Sequence, residues 1–312
     1  MEQSAPPARA VTVPRGRWLL ATLLLGVTMV TASAFGARMR FAFEHDLPAY
    51  DMDRDLDALL AAWRNPSVLA EGLPYSLTLL LVLSAHELGH YLSCRYYSIP
   101  ASPPYFLPSP FFIGTFGAFI RIRGAVPDRR SLFDVGVAGP LAGFVFVVPA
   151  LCIGLALSRA VPGLGGHSEM SFGTPLLMRL IEMWLFPGVA AEDISLHPVA
   201  RAAWVGLLAT ALNLLPVGQL DGGHLVYAAA GERHRRISLA AIVLLIPMGF
   251  LYWPWWVWAA VLYLLGRRHF MVADQGGLGR RRKLVFLLAV LIFILSFIPA
   301  PVLYNVGGQS LL

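Results

Sequence analysis

His86-Glu87-Leu88-Gly89-His90 is an H-E-x-x-H pattern. On a helix, positions i and i+4 lie one turn apart on the same face, so both imidazoles can reach one zinc ion at about 2.0 Å. The glutamate between them then addresses a water whose pKa the metal lowers toward about 7, and takes its proton as hydroxide attacks a carbonyl. By chance the pattern turns up in roughly one chain per hundred of this length, so its setting must decide. Here it sits in an otherwise apolar stretch, residues 73–97. Ionisable groups in such a stretch are costly unless they face a partner or a cavity. The bland alternative is a polar cluster that only joins helices.

Two histidines need a third protein ligand, commonly a carboxylate, with the fourth position left for water. Asp221 is the best candidate: it adjoins the apolar core on the same expected membrane side and is followed by Gly222 and Gly223. Those glycines permit close backbone approach and would present Asp221 at a helix terminus. Taken alone, Asp-Gly-Gly is equally a plain turn. His224 could support the ligand from behind or simply begin a helix, and Asn213 could serve the site or hydrogen-bond a neighbouring helix.

The elements that must position these residues are membrane helices. Of the 312 residues 57% are hydrophobic and 13% charged, and the mean hydropathy is +0.65, which excludes a soluble globule. The expected architecture is all-α and polytopic, with about six to seven membrane segments. Residues 1–17 form a polar tail, 18–72 a first span and an acidic loop, 73–231 a catalytic core, and 232–312 a hairpin and a last span. A cleaved signal ending at Ala32-Ser33-Ala34 is the rival for the first span. Five prolines in 98–110 forbid a continuous helix, and the alternation Ala118 to Arg123 reads as a strand. Residues 111–123 are therefore expected as a re-entrant β-hairpin or loop near the site, with Gly114, Gly117 and Ile120 at a strand edge offered to substrate or, alternatively, in a loop that plugs the site. Residues 237–266, with Pro247 and Pro254 and arginines at both ends, are expected to fold back as a hairpin. The net charge of +6 comes mainly from arginines beside apolar spans, so it signals orientation in a lipid bilayer and no nucleic-acid partner. Cys94 and Cys152 are too few for a disulfide framework. His167 and His197 read as ordinary loop histidines.

H-E-L-G-H followed by N-L-L-P-V-G-Q-L-D-G-G resembles the site-2 protease family of intramembrane zinc metalloproteases. The stretch P-Y-F-L-P-S-P-F-F-I-G-T-F-G-A-F-I-R-I-R-G-A-V-P-D-R-R-S-L-F-D-V-G-V-A-G-P-L-A-G resembles its chloroplast and bacterial branch. The resemblance covers residues 73–231. It implies one zinc ion per chain held by His86, His90 and Asp221, with Glu87 as catalytic acid and base and Asn213 beside the site. It further implies regulated cleavage of a single-span or polytopic membrane protein. Residues 158–198 leave no room for the PDZ domain that some relatives carry, and no soluble domain is expected after the last span. A bacterial-type cell membrane is expected, and the arginines on the motif side point the active site toward its cytoplasmic face. A transporter or channel using the same side chains for ions or protons is the alternative; a dead scaffold would have no use for Glu87.

Overall fold

Apolar runs bounded by proline, glycine and arginine fold as helices in the computed structural model, which describes residues 14–48, 60, 64–110, 113–165, 170–266, 272, 276–306 and 309–310. In chain order these are α1 (Arg15–Glu44), α2 (Pro66–Glu71), α3 (Leu73–Tyr96), β1 (Tyr105–Pro108), β2 (Thr115–Phe119), α4 (Arg129–Ala156), β3 (Arg159–Ala160), β4 (Met170–Phe172), α5 (Leu176–Leu185), β5 (Ile194–Ser195), α6 (Pro198–Asn213), α7 (Asp221–Ala230), α8 (His234–Met248), α9 (Pro254–Leu265), α10 (Arg280–Ser296), β6 (Val302–Val306) and β7 (Gln309–Ser310). Phe111, His167, Arg267, Arg268 and the loop aspartates Asp51, Asp53, Asp55 and Asp57 lie outside the described residues.

α4 is the hub, packing on α3, α6 and α7. Its start is fixed by a reciprocal cap in which Ser131 N donates to Asp128 Oδ1 at 2.7 Å and Asp128 N donates to Ser131 Oγ at 3.3 Å. Small residues let its neighbours approach: a Cβ on Gly154 would stand 2.3 Å from the backbone nitrogen of Ala200 in α6, and one on Gly89 of α3 would stand 2.4 Å from the Ala138 carbonyl oxygen. Arg282 at the start of α10 makes a two-pronged ion pair with Asp134 of α4, Nε to Oδ1 at 2.9 Å and Nη2 to Oδ2 at 2.6 Å, and Tyr97 donates to the same carboxylate.

α1 and α4 are long and apolar enough to cross a membrane. In α3 the three polar residues of the motif interrupt an otherwise apolar helix of 24 residues, about 36 Å long at 1.5 Å per residue. Ala32, Ser33 and Ala34, the cleavage-like stretch, are buried in the middle of α1, where Ser33 Oγ meets Ser76 Oγ of α3 at 2.8 Å. On α10, Leu284, Leu287, Leu288, Leu291 and Ile294 form an exposed apolar stripe, a lipid-facing pattern. α8 and α9 pack on each other around a turn at 249–253, and Leu245, Trp255, Ala259 and Leu262 close over Leu215 and Val217 in the turn before Asp221.

β1 and β2 form an antiparallel hairpin between α3 and α4, registered Tyr105 to Phe119 and Phe106 to Ala118, with an irregularity before Pro108. The Tyr75 hydroxyl donates to the Ile113 carbonyl at its tip, 3.1 Å away. Tyr75 precedes His86 by eleven residues, about 16 Å along α3, so the hairpin reaches deep into the bundle. The strand occupies 115–119, which corrects the expected run from 118 to 123. Beyond it the chain runs beside prolines that lack an N–H, and contact is irregular: Arg123 N donates to Pro100 O at 2.8 Å, Arg121 N to Ser102 Oγ at 2.8 Å, and Ala101 bridges Ile122.

The close crossings make opposite predictions for one chemical change. Gly26→Ala, at a site with nothing within 4 Å of an added Cβ, should raise the thermal midpoint in detergent by helix propensity, roughly 0.5–1 kcal/mol. Gly154→Ala should lower it by roughly 1–3 kcal/mol because α6 must move. Equal shifts would contradict the α4–α6 crossing.

Candidate metal and catalytic site

His86 and His90 occupy adjacent turns of α3, and Asp221 enters from the first turn of α7, where the helix N-terminus favours negative charge. The turn between α6 and α7 doubles back tightly: a Cβ on Gly222 would stand 2.1 Å from the Leu214 carbonyl oxygen. Three ligand atoms converge. His86 Nε2 and His90 Nε2 are 3.1 Å apart, and each is 3.2 Å from Asp221 Oδ2. Ligands at bonds of about 2.0–2.1 Å and tetrahedral angles stand roughly 3.3 Å from one another, so the set has zinc dimensions. The donor chemistry agrees, since His90 Nδ1 lies 2.8 Å from the Val135 carbonyl. A carbonyl can only accept, so Nδ1 carries the proton and Nε2 turns a lone pair to the centre.

α4 forms the wall behind the imidazoles. A Cβ on Gly139 would stand 2.0 Å from His90 Nε2, and one on Gly143 3.3 Å from His86 Cβ. His224 packs with its Cβ toward Gly136, 3.2 Å from where a Cβ there would lie, on the helix that carries Asp221. Asn213, the last residue of α6, brings Nδ2 to 3.3 Å from His86 Nε2.

Glu87 is 6% exposed and lies beside the backbone of Ile120, just past the end of β2. His86, Glu87 and Asn213 open onto a cavity of about 370 Å³ whose other walls include Thr115, Gly117, Ala118 and Trp258. β2 thus runs along the cavity beside the glutamate.

Two expected edge positions are corrected. Gly114, at φ +79°, faces α1: a Cβ would stand 2.5 Å from Ala32 Cα, and its carbonyl accepts from Thr31 Oγ1 at 2.6 Å. Ile120 lies one residue past the end of β2 and outside the lining of the cavity. Gly117, at φ +101°, does border the cavity, with open space where a Cβ would project. His197 caps α6 through Nδ1, accepting from Val199 N at 3.3 Å, and burial holds its pKa below the usual value.

No residue pattern signals the Val135 carbonyl directly. Gly136, Gly139 and Gly143 were visible within V-G-V-A-G-P-L-A-G, yet their spacing becomes meaningful only once α4 is set against α3.

Fold and site together define a helical bundle with a buried centre of two histidines and one carboxylate, and a glutamate beside it. The chain belongs to peptidase family M50, the site-2 protease family, whose profile matches residues 74–253. It is 35% identical over 263 residues to "Probable zinc metalloprotease EGY2, chloroplastic" of Arabidopsis thaliana, covering 83% of this chain and 46% of that protein. It is 33% identical over 236 residues to "Probable zinc metalloprotease EGY1, chloroplastic" of the same plant, covering 73% and 43%. EGY1 of Oryza sativa subsp. japonica is 30% identical over 236 residues, covering 73% and 40%. The chain spans a little under half the length of these relatives.

Gly139→Ala should lower zinc content without removing a ligand, because the new methyl displaces the His90 ring. Metal analysis of the purified protein should show a loss comparable to that in His90→Ala; full occupancy in Gly139→Ala would contradict the wall.

Proposed function

We propose that the chain is a zinc metalloendopeptidase that hydrolyses peptide bonds in or near transmembrane segments of membrane-protein substrates. The observation that carries this reading is the meeting of His86, His90 and Asp221, with Glu87 on the same cavity, inside an apolar bundle. Zinc, when bound, supplies a Lewis acid and lowers the pKa of the attacking water. Glu87 takes that water's proton and returns it to the leaving amine. The Asn213 amide, at the rim of the same centre, donates to the oxygen that gains charge during attack.

A peptide bond in a membrane helix must first be unwound, which leaves amide and carbonyl groups unpaired in an apolar setting. In this reading β2 takes the unwound segment as an added strand, with Gly117 allowing close backbone approach. Seven membrane segments, α1, α3, α4, α6, α8, α9 and α10, would surround the β1–β2 hairpin, which re-enters from the zinc side sheltered by α1 and α3. Arg121, Arg123, Arg129, Arg130, Arg233, Arg235 and Arg236 flank that side, and this excess of basic residues supports a cytoplasmic orientation. The relatives' names place them in chloroplasts, so they lend no support to the bacterial-type membrane expected from the sequence.

Glu87→Gln should keep zinc while cleavage of a panel of single-span substrates falls at least about a hundredfold, since an amide cannot accept the proton. Near-normal cleavage would remove the mechanism, and ion flux without cleavage in the wild type would favour transport. An N-methyl scan of the substrate segment should inhibit cleavage at alternate positions, the period of a paired strand; uniform tolerance would remove strand addition. Thiol labels at positions 235 and 280 should react from the same membrane face, and labelling from opposite faces would break the hairpin topology.

A further inference from the structure

At the other end of α6 a second cavity of about 210 Å³ is lined by Pro48, Gly165, Ser171, Met178, Glu182 and Arg201, among others. Arg201 precedes Asn213 by twelve residues, about 18 Å along the helix, so this cavity lies across the bundle from the metal ligands. Its carboxylate is unusual. Glu182 is 2% exposed, and its Oε2 has no hydrogen-bond partner among the described residues. Arg179 Nη1 stands 3.6 Å from that oxygen, too far for a hydrogen bond, on a side chain that is itself largely solvated. Arg201 is already engaged: its Nε donates to the Leu196 carbonyl at 3.2 Å, and its guanidinium lies 5.9 Å from the centre of the Phe172 ring. Burial pushes the Glu182 carboxyl up to about 7, with Arg179 acting in the opposite sense.

α5 is turned in an unexpected way. It exposes Leu176, Leu180, Met183 and Trp184, the face of a helix lying on a membrane surface, and turns Glu182 inward. A carboxylate buried without a donor is unfavourable until a ligand supplies one. With Glu192 exposed on the same wall, the cavity offers a single buried carboxylate, too few for a protein-held metal ion but suited to an organic cation, and Phe172 and Trp204 supply apolar walls for an alkyl stem.

We infer that this cavity binds the basic side chain, ammonium or guanidinium, of a peptide segment flanking the substrate's membrane span on the face opposite the zinc site, with Glu182 as acceptor. That the peptide belongs to a substrate rests on the proposed proteolytic function; the cation chemistry of the cavity does not. A basic flank on this face would then select among membrane segments that the strand edge, reading backbone alone, accepts equally.

The test uses the full chain in phosphatidylcholine nanodiscs with the metal chelated, so that no peptide is consumed. Binding of a fluorescent hexapeptide with one lysine is compared with that of its norleucine counterpart. The lysine peptide should bind about tenfold more tightly or better, and the contrast should vanish in Glu182→Gln while that variant keeps normal zinc content when reloaded. Equal binding of the two peptides to the wild type, or a contrast that survives in Glu182→Gln, would overturn the inference. Adding phosphatidylethanolamine should leave peptide binding intact; loss of binding would make a lipid amine the occupant and overturn the peptide assignment. If the lysine contrast holds but the zinc-loaded protein cleaves nothing, the proteolytic reading fails and the cation site stands.

Discussion

The imidazoles of His86 and His90 meet Asp221 because glycines let α3 and α4 cross closely. Gly89 packs on the Ala138 carbonyl, Gly139 leaves room for the His90 ring, and Gly143 leaves room for His86. Once the helices are this close, the Val135 carbonyl comes within reach of His90 Nδ1 and selects the tautomer that presents Nε2. The same backbone contact therefore packs the bundle and sets the electronic state of a ligand.

Much of the remaining architecture keeps that crossing in register. The Arg282–Asp134 pair ties α10 to α4 one residue before Val135, and Tyr97, just past the end of α3, joins the same carboxylate. The α8–α9 hairpin packs on Leu215 and Val217, which hold the turn that aims Asp221. On the open side of the site the β1–β2 hairpin takes the place of a helix. A helix there would have satisfied its own backbone, whereas an extended segment brings backbone groups up to Glu87 and the cavity.

The meeting of His86, His90 and Asp221 was legible because H-E-x-x-H encodes its own geometry at a spacing of one helical turn, and Asp221 with its two glycines offered a carboxylate on the same expected side. The helical segments were legible because lipid-compatible apolar length is a one-dimensional property. The β2 strand was misplaced by several residues because alternation shows which stretch is extended, while pairing depends on which neighbours retain an N–H, and the prolines at 100, 103 and 104 lack one. Gly114 was assigned to the substrate edge because its freedom of φ was visible and its contact with Ala32, more than eighty positions earlier, was not. Nothing in the sequence marks Glu182, since inward or outward orientation on α5 depends on what packs over it.

Zinc X-ray absorption on the full chain in detergent reads the proposed centre itself. One zinc per chain is expected, with only nitrogen and oxygen neighbours at about 2.0–2.1 Å, two of them imidazoles, and loss of one imidazole signature in His90→Ala. A sulfur neighbour at about 2.3 Å, which would bring in Cys94 or Cys152, or an imidazole count that His90→Ala leaves unchanged, would contradict it.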